Sequence, residues 1–215
     1  MQPFALQSHL FQPAASPLPA GFVYQPDFIT AAEEAHLLAA IGELPLHAAL
    51  YKTYTAKRRI ASFGAQYDFT DNVLQPAADL PPAFEPLRDK VAHWINVAPQ
   101  MLAHTLIAEY QPGVQLGWHR DVPQFEIVVG ISLGARARMR LRPYPVPANP
   151  REHVLALELE PRSAYVLRGD ARWRWQHSIP PAKALRYSIT FRTLCGNRSR
   201  REAKLENGDR LTSSQ

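Results

Sequence analysis

The chain has one cysteine, Cys195, so an internal disulfide is excluded and stability must come from a packed core. It has no run of about 18 apolar residues, which argues against a helical membrane span. The first residues, Met1-Gln2-Pro3-Phe4-Ala5-Leu6-Gln7, lack the basic start and apolar stretch of a secretory signal. These absences point to a reducing setting, the cytoplasm, and to no membrane partner. There is no internal repeat, and so no solenoid. Acidic residues are in deficit, 19 against 24 Lys and Arg, and the net charge of +5 favours a polyanionic partner. Cys195 closes a strand-like stretch and reads as a small buried apolar group rather than a nucleophile.

What is present suits one domain with a sizeable core. Residues 1–20 hold Pro and Ala without periodicity and read as an arm; residues 196–215 are polar and read as a flexible tail; the domain spans 21–195. Thr30-Ala31-Ala32-Glu33 is a capping-box pattern, followed by Leu37, Leu38 and Ile41 at helical spacing, which predicts three turns ending near Gly42. Pro81-Pro82 opens a second helix with Leu87, Val91, Trp94 and Ile95 on one stripe. Between them, residues 50–69 carry β-type residues around Lys57-Arg58-Arg59, which predicts a hairpin or edge pair with a basic tip. From 103 onward the pattern is strand after strand: 103–110, 115–121, 125–133, 135–142, 153–160, 163–168, 171–177 and 185–193. Two helices followed by eight short strands predict an α+β, mainly β fold. The form expected is a double-stranded β-helix, or jelly roll, monomeric, with the N-terminal helices packed on one sheet.

Chemistry concentrates at Gly117-Trp118-His119-Arg120-Asp121. A His and a carboxylate two residues apart on a strand project to one face, which is two-thirds of a facial triad for non-haem iron. His177 is the best candidate for the third ligand. Trp118 and Arg120 alternate away from the ligands: Trp118 reads as core, and Arg120 either reaches substrate or flanks the site. In 185–193, Leu185, Tyr187, Ile189 and Phe191 share one face, and Arg186, Ser188, Thr190 and Arg192 the other. That second face is either solvated or turned into the roll, where a buried guanidinium requires a carboxylate partner that a diacid could supply.

His119-x-Asp121, His177 and Arg186-x-Ser188-x-Thr190-Phe191-Arg192, taken together, resemble the AlkB family of iron(II)- and 2-oxoglutarate-dependent dioxygenases. So does the turn Tyr110-Gln111-Pro112-Gly113, and the resemblance spans roughly residues 21–195. It implies that His119, Asp121 and His177 hold iron(II). It implies that Arg186 pairs with the distal carboxylate of 2-oxoglutarate, that Tyr110 hydrogen-bonds to this cosubstrate, and that Arg192 lies near its chelating end. Ser188 stands where many members carry Asn, and Ala108 where another cosubstrate-binding Asn is common, so an altered pocket is expected. With dioxygen as second cosubstrate, 2-oxoglutarate would go to succinate and carbon dioxide while a substrate methyl is hydroxylated. An N-methyl would then leave as formaldehyde.

The resemblance also implies a lid over the substrate at 58–67, with Arg58, Phe63 and Tyr67 as candidate contacts to alkylated DNA or RNA; both rings could instead pack the hairpin on the core. Arg136, Arg138, Arg140 and Arg142 fall on one strand face. They either meet a phosphate backbone or are answered by Glu158 and Glu160. Trp173 and Trp175 are expected to pack the mouth of the roll. Val122-Pro123-Gln124 lacks the acid that nucleic-acid demethylases of the family can carry after the metal carboxylate. Three readings therefore stand: repair of alkylated nucleic acid, the same chemistry on a protein side chain or small molecule, and a non-catalytic basic binding module. A zinc hydrolase is disfavoured, because no general-base Glu accompanies the ligands.

Overall fold

The computed structural model describes residues 18–51, 54–68 and 73–196; the expected tail and most of the expected arm lie outside them. Seven antiparallel strands form the larger sheet. In spatial order they are β1 (Phe22–Gln25), β11 (Ala164–Leu167), β8 (Phe125–Gly134), β13 (Arg186–Leu194), β6 (His104–Tyr110), β3 (Tyr54–Phe63) and β2 (His47–Tyr51). Four form the smaller sheet: β10 (Leu155–Leu159), β9 (Ala137–Pro143), β12 (Trp175–Ile179) and β7 (Leu116–His119). A separate hairpin joins β4 (Ala65–Asp68) to β5 (Val73–Pro76). This is the expected jelly roll, mainly β. Among the described residues no helix is long and apolar enough to cross a membrane.

The two-residue period of a strand sorts the larger sheet into two faces. Ala61, Phe63, Ile107, Val129, Ile131, Leu133, Ile189 and Phe191 meet helices α1 (Ala31–Gly42) and α2 (Glu85–Trp94), which bury Leu37, Ile41, Leu87 and Val91 there. Thr30 caps α1 as its sequence predicts: Glu33 N donates to Thr30 Oγ1 at 3.1 Å and Thr30 N to Glu33 Oε2 at 2.7 Å. Lys90 on α2 reaches Glu33 at 2.8 Å and ties the helices together. A second core lies between the sheets, with Val128, Tyr165 and Leu167 facing Met139, Leu141, Leu159 and Ile179. Cys195 is buried.

Three expectations need correction. Lys57, Arg58 and Arg59 lie inside β3 and not at a tip. Alternation sends Arg58 inward, while Arg59 pairs with Glu109 at 3.3 Å on the helix side. The chain leaves β3 at Gly64, whose φ of +74° and 2.5 Å approach of an ideal Cβ to the Ala103 carbonyl oxygen exclude any side chain. The stretch 171–177 is not one strand. After Gly169, at φ +53°, a single helical turn, α3 (Asp170–Trp173), buries Ala171 and Arg172 before β12 begins. Finally, β7 stops at His119, so Arg120 and Asp121 lie beyond the strand.

Candidate metal centre and its cavity

The two imidazoles come from neighbouring strands of the smaller sheet. His119 and His177 are a direct cross-strand pair with ring centroids 4.1 Å apart. Asp121, two residues past His119, brings Oδ2 to 3.8 Å from His177 Nε2. One candidate ligand atom from each of the three residues lies within 4.8 Å of the others, a spacing that could hold a metal ion. His119 Nδ1 lies 2.9 Å from the Gly117 carbonyl oxygen. A carbonyl only accepts, so Nδ1 carries the proton and Nε2 keeps its lone pair for a metal.

The electrostatics agree with that use. Burial holds His119 below its ordinary range, and burial together with His119 pushes His177 down to about 3, so both rings are neutral at pH 7. Burial works to raise the Asp121 carboxyl pKa. Its neighbours Arg192, His177, Arg172 and His119, the Arg192 guanidinium foremost, outweigh it and hold the carboxyl far below the usual carboxylate range. Arg192 Nε donates to Asp121 Oδ1 at 2.8 Å. Asp121 Oδ2 is buried without a hydrogen-bond partner. An orphaned carboxylate oxygen facing two neutral imidazoles is costly unless a cation completes it, so these residues fit a divalent metal.

Two residues that sequence reasoning missed hold this arrangement. Arg172, 2% exposed, donates through Nη2 to the carbonyls of Asp121 (3.1 Å), Val122 (2.7 Å) and Phe125 (2.8 Å). It pins the backbone of the loop while Arg192 pins the carboxylate. His104, across from Arg192 in the register, stacks on Phe125 and offers Nδ1 at 3.1 Å to Arg192 Nη1. Burial and then Arg192 hold its pKa well below the ordinary value, so it accepts as a neutral ring. Neither residue carries a sequence signal: Arg172 sits in a helix too short to show a period, and His104 has no motif partner.

The inner face of the larger sheet runs in rows away from this centre. His104 pairs with Arg192, Leu106 with Thr190, Ala108 with Ser188, and Tyr110 with Arg186. Arg186 is 2% exposed, lies 5.0 Å from the centre of the Tyr110 ring, and donates through Nε to Ser132 Oγ at 3.3 Å. No carboxylate among the described residues is in ion-pair range of it. A buried guanidinium answered only by a hydroxyl is a site for an anion, which fits one end of a keto diacid. Burial works to raise the Tyr110 phenol, but Arg58 and Arg186 lower it overall, and Arg58 also hydrogen-bonds to it. Tyr165 occupies the room that Gly130 leaves: a Cβ there would meet its ring at 2.3 Å. Burial pushes the Tyr165 phenol up to about 12, so it stays protonated.

These groups line one cavity of about 590 Å3, together with Arg58, Tyr67 and Arg120 from the expected substrate set. Phe63 is the exception. It is 8% exposed and belongs to the helix-side core, because it shares the outward face of β3 with Ala61. Arg120 donates to the Trp173 carbonyl at 2.8 Å and lies 3.7 Å over the Tyr144 ring. Trp118 is not core. It points opposite to His119, half-buried, with Arg140 and Arg142 against its ring. Trp175 packs on the inter-sheet core, and Trp173 lies against Arg172.

Residues 21–201 match the family model described as the 2OG-Fe(II) oxygenase superfamily. An uncharacterized protein of Acanthamoeba polyphaga mimivirus is 27% identical over 194 residues, covering 81% of this chain and 85% of that one. The "Alkylated DNA repair protein ALKBH8 homolog" of Arabidopsis thaliana is 31% identical over 184 residues, 76% of this chain, which spans about half (51%) of that protein. Among solved structures, OsALKBH1 superposes with a TM-score of 0.63 at 16% identity, covering 82% of this chain and 98% of that one.

Proposed function

The chain belongs to the 2OG-Fe(II) oxygenase superfamily and has the AlkB-like fold, and on that footing we propose that it oxidatively demethylates alkylated bases in DNA or RNA. It is a dioxygenase that uses iron(II), 2-oxoglutarate and dioxygen. We assign iron(II) to His119, Asp121 and His177. The carrying observation is the convergence of the orphaned Asp121 Oδ2 with two neutral imidazoles inside a cavity that also buries Arg186. When bound, iron supplies the oxidising chemistry that turns 2-oxoglutarate into succinate and carbon dioxide and a substrate C–H into C–OH.

The side chains supply placement. Arg186 pairs with the distal carboxylate of the cosubstrate, with Tyr110 and Ser188 offering hydroxyls beside it. Arg192 holds Asp121 Oδ1 and leaves Oδ2 as the oxygen that would serve a metal. Arg58 and Tyr67, from β3 and β4, offer a cation and a ring to a base entering the cavity, and Arg120 stands at its mouth. The domain is taken as 21–195, acting as a monomer in the cytoplasm.

The net charge and the printed name of the Arabidopsis relative support a nucleic-acid substrate. The burial of Phe63, which leaves one aromatic of the expected lid at the cavity, favours a second reading in which a protein side chain or small molecule is oxidised. Succinate and formaldehyde, measured with methylated oligonucleotides and methylated peptides in parallel, separate the two. Release from oligonucleotides by the native chain and none by His119→Ala is expected; release from peptides alone would overturn the nucleic-acid reading.

A further inference from the structure

The smaller sheet turns one face to the metal centre and the other outward. On the outward face, Arg136 and Arg138 are answered by acids, Glu160 at 4.0 Å and Glu158 at 3.8 Å, both exposed pairs of little energetic weight. Toward the metal-bearing strands the acids stop. Arg140 Nε donates to Ser178 Oγ at 3.1 Å and Arg142 Nε to Gln176 Oε1 at 2.8 Å, both neutral acceptors on β12. Their guanidinium carbons lie 4.9 and 4.4 Å from the centre of the Trp118 ring. Arg120 is held by a backbone carbonyl and the Tyr144 ring. Among the described residues, no carboxylate lies within 4.0 Å of any of these three guanidinium groups.

Three cations are thus fixed side by side by neutral and aromatic groups. Like charges held together repel, and among the described residues none of the three is paired with a carboxylate; the Trp118 and Tyr144 rings are the counterweight they have. Because the bonds of Arg140 and Arg142 run through Nε, their terminal amino groups remain to donate elsewhere. The strip also leads somewhere: Arg120 lines the cavity that contains the candidate metal centre. A ligand suited to it carries regularly spaced single negative charges and passes the cavity mouth, which describes a phosphodiester chain.

We propose that Arg120, Arg140 and Arg142, set against Trp118 and Tyr144, form the track on which the backbone of the substrate strand lies while one of its bases occupies the cavity. This rests on the nucleic-acid reading given above, and it places the backbone on the outer face of the smaller sheet, away from the β3–β4 side. The contacts are to phosphate, so they set affinity and register but not sequence.

The test is binding of a fluorescent single-stranded oligonucleotide to the full chain, measured across a salt series. Arg140→Gln/Arg142→Gln is compared with Arg140→Lys/Arg142→Lys and with Arg138→Gln. Each phosphate contact on a single strand contributes about 0.7 to the slope of log affinity against log salt. The double Gln variant should flatten the slope by about 1.4 and weaken binding about 25-fold at 0.1 M salt. The double Lys variant should keep most of both, and Arg138→Gln should leave both unchanged. An unchanged slope in the double Gln variant would overturn the track while leaving the substrate class standing if the native chain still demethylates oligonucleotides. An equal loss in the double Lys variant would overturn it too, since the effect would then lie in packing and not charge. A native chain that neither binds nor demethylates any oligonucleotide would bring down the substrate reading itself, and the track with it.

Discussion

Replacing Arg172 tests how the metal carboxylate is held. Arg172 touches no proposed ligand atom, yet its Nη2 gathers three carbonyls of the loop that carries Asp121. Gln at this position is too short to span them, so up to three acceptors lose their donor. A buried acceptor left without a partner costs about 1–3 kcal/mol, and water entering from the cavity recovers part of it, so a loss of about 3 kcal/mol in folding stability is expected. The sharper effect falls on the metal. A positioning residue one bond removed from a ligand is worth about 10–100-fold in affinity. Co(II), titrated in place of iron(II) and followed by visible absorption, gives that number directly. Arg174→Gln is the matched control, since among the described residues the Arg174 side chain makes one ion pair, an exposed one with Asp170 at 3.6 Å. If Arg172→Gln melts earlier but holds Co(II) as tightly as the native chain, Arg172 stabilises the fold without positioning Asp121, and the reasoning fails.

Three more outcomes are expected. Arg186→Ala should raise the 2-oxoglutarate KM by at least about 30-fold, as loss of a buried charge pair does, with Co(II) affinity nearly unchanged; an unaltered KM would remove Arg186 from the cosubstrate site. Gly130→Ala should lower the melting temperature and raise the 2-oxoglutarate KM by forcing the Tyr165 ring from its place, at about 1–3 kcal/mol. Adding Tyr165→Ala should recover part of the melting temperature, and no recovery would locate the strain elsewhere. His104, His119 and His177 are all held below 6.5 when folded. Their unfolded counterparts take up protons from about pH 6.5 downward, so the metal-free chain should be fully stabilised above that pH and lose up to about 1.4 kcal/mol per pH unit per histidine below it. Urea midpoints that stay level from pH 7.5 to 5 would contradict this.

Legibility in the sequence followed how local each determinant is. The Thr30 capping box and the alternation of 185–193 are complete within a few residues, and both translate directly into structure. The convergence of His119, Asp121 and His177 is legible because the first two are close in sequence and the third follows in order, even though Asp121 lies past the strand. Phe63 is a candidate contact only through the resemblance to a lid, with core packing left open, and the parity it shares with Ala61 in β3 puts it on the helix side. The basic tip expected at 57–59 is instead the interior of β3. Charge was equated there with exposure, whereas Arg58 is buried against Tyr110. Trp118 shows the opposite error. Turned away from the ligands by the strand period, it is expected in the core, but that face of the smaller sheet is the outer one, where Arg140 and Arg142 cover its ring. Arg172 could not be read at all, because one helical turn has no period and the three carbonyls it serves lie about fifty residues away.

The two sheets divide the work by charge. The smaller sheet and the loop after it bring two neutral imidazoles and one carboxylate, a single negative charge for the dication we assign to them. The larger sheet brings Arg192 and Arg186, and α3 brings Arg172, all buried or nearly so. Arg192 is matched by Asp121 and Arg172 by backbone carbonyls, which leaves Arg186, among the described residues, with one serine hydroxyl and the Tyr110 ring but no anion. On the proposed assignment the interior therefore lacks negative charge in two places at once, at the metal and at Arg186. A keto acid with one carboxylate could reach the metal but would leave Arg186 buried without an anion. A diacid long enough to reach both places answers both deficits. The choice of cosubstrate then follows from where the fold strands its positive charge, independently of what is oxidised at the other side of the cavity.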